Sequence, residues 1–99
     1  MKLGKTFKEI YEEIKKPLMR IIEIADRDLK THFSLRLSEK ALEEIESEYQ
    51  KIIEILKDFQ PQNEAEEKIQ KYALQEKGDR FKQAVYIYIW SKELLEKEN

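Results

Sequence analysis

Arg27 and His32 stand five residues apart in the stretch Arg27-Asp28-Leu29-Lys30-Thr31-His32, in a chain with four arginines and one histidine. An arginine stabilises the charge that builds on a phosphorane, and a histidine moves protons near neutral pH. The pair therefore suits metal-independent cleavage of a phosphodiester. His32 also opens a second pattern. His32, Ser34 and Arg36 alternate with Phe33, Leu35 and Leu37, which in an extended chain puts the polar set on one face and the apolar set on the other. A helix would mix the two sets, so the alternation predicts a strand over 32–37. On its outer face Arg36 can donate two hydrogen bonds to a guanine, with His32 and Ser34 beside it. Other chemistry lacks the residues it needs. Glu12-Glu13, Glu43-Glu44 and Glu66-Glu67 fall in charged helical stretches and read as solvated faces. Without cysteine, a second histidine or an Asp-rich loop, no metal, cofactor or small-molecule substrate is expected.

The elements that must position these residues are mostly helical. Charged residues make up 40% of the 99-residue chain, with two glycines and two prolines, a composition of long helices laced with ion pairs. Acidic and basic residues nearly cancel, at 21 and 19, so any grip on nucleic acid must come from a local patch. The length predicts one domain over 1–99. Ala84 to Trp90, the longest apolar run, is too short to cross a membrane, and no secretory signal is evident; a soluble cytoplasmic protein is expected. High Lys and Glu with few Gly and no Cys resembles small proteins of thermophilic archaea and their filamentous viruses.

Thr6 and Glu9 form a capping box that starts a first helix. Pro17 has no backbone donor and clashes with the preceding turn, which predicts an end or a kink near Lys16. Arg20 to Ala25 suits either a continued helix, which its spacing favours, or a strand paired with 32–37. Ser38 caps a helix reaching Phe59, with Leu42, Ile45, Tyr49, Ile52 and Leu56 on one stripe. Asn63 caps a third, from Glu64 to about Lys77 with Ile69, Tyr72 and Ala73 inward, and Gly78 is expected to end it as a left-handed cap. Asp79 caps the last, Phe81 to Leu95. Its Val85-Tyr86-Ile87-Tyr88-Ile89-Trp90 core is apolar on every side, which predicts a helix buried all round or, less in keeping with its flanks, a central strand. Val85, Tyr86, Tyr88 and Trp90 exceed what a small domain covers and are expected at a homodimer interface.

Phe33-Ser34-Leu35-Arg36-Leu37-Ser38-Glu39-Lys40-Ala41-Leu42-Glu43-Glu44-Ile45 resembles the strand and first helix of ribbon-helix-helix DNA-binding proteins. The resemblance implies a dimer reading double-stranded DNA through His32, Ser34 and Arg36, with Asn63 at a helix start holding a phosphate. Arg27 to His32 resembles the signature of HEPN ribonucleases, which implies Arg27 and His32 as the catalytic pair. The combined expectation is an α+β, predominantly helical chain of three to four helices with a minor antiparallel strand element around 32–37. Its expected role is a small non-catalytic binding protein. A HEPN-like ribonuclease, or a protein acting only through protein contacts, is the alternative.

Overall fold

A computed structural model describes residues 4–32 and 36–97, His32 through its backbone alone. Four helices account for its regular structure: α1 Phe7–His32, α2 Glu39–Leu56, α3 Glu64–Ala73 and α4 Arg80–Lys97. No strand occurs among the described residues, so the expected α+β class is corrected to all-α. His32 forms the last position of α1, Arg36 lies in a bend and Leu37 in irregular chain. Phe33, Ser34 and Leu35, the middle of the expected strand, lie outside the described residues. The physical reason for the correction is partnership. A strand needs a neighbour for its backbone groups, and Arg20 to Ala25, which could have supplied one, is helical.

Helix α1 is the mast of the fold, 26 residues or about 39 Å long. Thr6 and Glu9 make the expected reciprocal cap: the Glu9 amide donates to Thr6 Oγ1 at 3.2 Å, and the Thr6 amide donates to Glu9 Oε1 at 3.0 Å. Pro17 does not end the helix, contrary to expectation. A proline inside a helix costs about 3 kcal/mol. Against that stand Phe7, Ile10, Tyr11 and Ile14 before it and Leu18, Ile21, Ile24 and Ala25 after it, all buried. Each large member of that stripe contributes roughly 1.5–3 kcal/mol of burial, and the stripe stays on one face only if the helix runs through. Packing wins, and Pro17 itself is buried on that face.

Helix α2 returns antiparallel to α1, with the Phe7 and Phe59 rings 5.7 Å apart where the hairpin opens. At its closed end Asp28 accepts hydrogen bonds from the Ser38 amide at 2.8 Å and the Ser38 hydroxyl at 2.7 Å. Ser38 in turn caps α2 through the Ala41 amide. Asn63 caps α3 as expected, its Oδ1 accepting from the Glu66 amide at 2.9 Å. Helix α3 stops at Ala73, short of the expected Lys77; Gly78 is the one glycine with positive φ, at +155°, and shapes the connection rather than a helix end. Gln70 fastens α3 to α2 by donating to the Leu56 and Phe59 carbonyls, both at 2.8 Å.

Arg80 secures the start of α4. Its guanidinium donates to Glu46 at 3.0 Å, to the Gln75 carbonyl at 3.0 Å and to Gln83 at 3.1 Å, and it lies 4.5 Å over the Tyr49 ring. Burial pushes the Glu46 carboxyl up, but hydrogen bonds from Gln50 and Arg80 and the Arg80 charge outweigh it and hold the group below its ordinary value. Tyr49, fully buried, donates to the Ala73 carbonyl at 2.6 Å. The core thus runs between α1, α2 and α4, with α3 laid against α4 and the end of α2.

Candidate interaction surface

The residues expected to act on nucleic acid do not converge. Arg27 is exposed on α1 and pairs with Glu23 at 2.9 Å, one turn away. His32 follows it by five helical positions, about 140° around the axis, so the two α-carbons do not share a face of α1. Ser34 lies outside the described residues. Arg36 borders a recess of about 610 Å³ with Leu37, Asp79 and Arg80, at the closed end of the α1–α2 hairpin. Asn63 stands beyond the other end of α2, whose 18 residues span about 27 Å. Its amide is occupied by the cap, with Nδ2 donating to Glu66 at 3.2 Å. Among the described residues no group of three or more His, Asp or Glu side chains is arranged to hold a metal.

Helix α4 offers a different kind of site. The sequence left it apolar on every side and expected burial all round; the structure corrects this. Ala84, Ile87 and Ser91 face the core, whereas Tyr86, Ile89 and Trp90 remain 39%, 41% and 36% exposed on the opposite side. Positions 86, 89 and 90 fall within about 100° of one another around a helix, so they form one patch. Tyr72 of α3 extends it. Its ring centroid lies 4.9 Å from Trp90 and 6.3 Å from Tyr86, and Tyr86 lies 5.4 Å from Trp90. Burial pushes the Tyr72 phenol up, with smaller contributions from Tyr86 and Asp79. Beside the rings, Ala65, Ile69, Trp90 and Leu94 floor an apolar groove of about 280 Å³, rimmed by Lys68, Glu93 and Lys97.

Of the four expected interface residues, Tyr86 and Trp90 lie on this patch. Val85 and Tyr88 are half-buried on the flank of α4, where Lys92 sits 5.4 Å from the Tyr88 ring. Ile89 and Tyr72 were not expected there. Ile89 had a signal in the sequence, because it continues the spacing of Lys82 and Tyr86; Tyr72 was expected inward and is instead half-buried at the edge of the patch, since its place depends on how α3 lies against α4. What the arrangement offers is contact area: three aromatic rings already held against each other, so that covering them costs little side-chain entropy. Rigid aromatics of this kind dominate binding energy at protein interfaces. No helix among the described residues is long and apolar enough to cross a membrane. Comparison with protein-family models, with curated proteins and with solved structures finds no match to this chain.

Proposed function

We propose that this chain is a non-catalytic interaction protein that self-associates through the aromatic face of α4. The observation that carries the reading is the exposure of Tyr86, Ile89 and Trp90 together on one side of a helix whose other side is core. Single exposed apolar residues are ordinary; three large ones on adjoining turns, extended by Tyr72 and an apolar groove, make a patch that water covers poorly. Two further features support contact rather than chemistry: the Arg27 side chain is occupied by Glu23, and Arg36 and Asn63 lie at opposite ends of α2.

Sedimentation equilibrium from micromolar to near-millimolar protein tests the proposal, with acrylamide quenching of Trp90, the sole tryptophan, as a local reporter. The weight-average mass is expected to rise with concentration while Trp90 becomes shielded. Ile89→Glu, at an exposed position that should not disturb the fold, is expected to abolish both changes. A wild type that stays monomeric throughout sinks the proposal. So does a duplex-DNA mobility shift lost in Arg36→Ala, or metal-independent RNA cleavage lost in His32→Ala, if either occurs without self-association.

A further inference from the structure

We infer that two copies meet α4 to α4 in antiparallel fashion about a two-fold axis passing between Tyr86 and Ile89, and that Lys82 and Glu93 select this arrangement. The inference rests on the self-association proposed above and names the geometry of that same surface.

Lys82, Tyr86, Ile89 and Glu93 follow one another at steps of four, three and four. That is the spacing of a seam along which one helix packs against another, and all four are exposed. The seam is apolar in its middle, basic at its N-terminal end and acidic at its C-terminal end. The midpoint between Lys82 and Glu93 is also the midpoint between Tyr86 and Ile89, and between Val85 and Trp90. A two-fold axis there sets Tyr86 against the partner's Ile89, Trp90 against the partner's Val85, and Lys82 against the partner's Glu93, each contact occurring twice. A surface complementary to itself in this way closes as a dimer instead of growing into a chain. A parallel pairing would set Lys82 against Lys82 and Glu93 against Glu93.

Both charges are available. Neither Lys82 nor Glu93 has an ion-pair partner among the described residues. Within one chain they stand about 16 Å apart along the axis, too far to pair with each other. One turn further, Glu96 falls opposite the partner's Asp79, a like-charge meeting that limits the seam to 82–93.

Charge reversal tests the arrangement. Lys82→Glu and Glu93→Lys, each retaining the wild-type helical circular dichroism, are each expected to weaken the dimer about tenfold or more, since two attractive contacts become two repulsive ones. The double variant is expected to recover wild-type association, and an equimolar mixture of the two single variants to form heterodimers. Added salt is expected to weaken the wild-type dimer; in a parallel dimer it would strengthen it by screening like charges. A wild type that dimerises while both single variants match it, or a double variant that fails to recover, overturns the antiparallel seam and leaves self-association standing. A wild type that stays monomeric overturns both.

Discussion

At the scale of single residues, three side chains deep in the bundle carry stability consequences that can be separated. Ser91 is fully buried, and its hydroxyl has no hydrogen-bond partner among the described residues. A buried orphan hydroxyl costs about 1–3 kcal/mol, and alanine removes it with little change in volume. Ser91→Ala is therefore expected to raise the melting temperature by roughly 4–8 °C per kcal/mol recovered, measured by calorimetry. Tyr49 is the opposite case, because its hydroxyl is used. Tyr49→Phe strands the Ala73 carbonyl and should cost about 1–2 kcal/mol at neutral pH in chemical denaturation. Burial pushes the Tyr49 phenol far above its ordinary value, with the Arg80 charge working against the rise. Above about pH 10 the unfolded chain has lost this proton while the folded chain keeps it, so stability falls as pH rises through that window. The fall should be shallower in Tyr49→Phe; equal slopes would contradict the burial argument. Arg80 is only 14% exposed and bonds to α2, to the α3–α4 connection and to its own helix. Arg80→Lys should lose most of what Arg80→Ala loses, on the order of 2–4 kcal/mol, because an ammonium cannot span partners that a planar guanidinium reaches together.

At the scale of elements, Pro17 tests how far packing overrides local preference. Pro17→Ala restores a donor to the Glu13 carbonyl and removes a steric clash at the expense of some buried ring area. A net gain of about 1 kcal/mol is expected in urea unfolding, and a loss would mean that the ring's contacts outweigh the backbone defect. The same contest explains what could be read from the sequence. Helix starts were legible where a side chain caps them locally: Thr6, Ser38, Asn63 and Asp79 all do so. Events decided by distant partners were not. The run through Pro17 depends on what α2 and α4 place against both halves of α1. The alternation over 32–37 predicted a strand, yet His32 ends α1 and Arg36 and Leu37 lie in a bend and irregular chain: period-two patterning takes no account of whether a second strand exists. In α4 the ends were nearly right, yet a run apolar all round holds no information on which side the other helices will take.

At the scale of the whole molecule, the bundle is elongated, 51 × 25 × 19 Å, and the aromatic patch of Tyr72, Tyr86 and Trp90 lies along the flank formed by α4 and α3. If that flank is covered only in the dimer, folding and assembly are linked. The melting temperature should then climb with protein concentration in the wild type and be independent of it in Ile89→Glu, as scanning calorimetry over a hundredfold dilution would report. A wild-type value that ignores concentration would argue that the patch stays open to water.

The clasp between Asp28 and Ser38 has a practical corollary. The carboxylate joins the two helices across the link, so their spacing at this end does not rest on chain connectivity alone. Entropy charges little for a longer tether between ends fixed elsewhere. Lengthening this link should therefore leave the melting temperature nearly unchanged in the wild type and lower it in Asp28→Ala, as calorimetry would report.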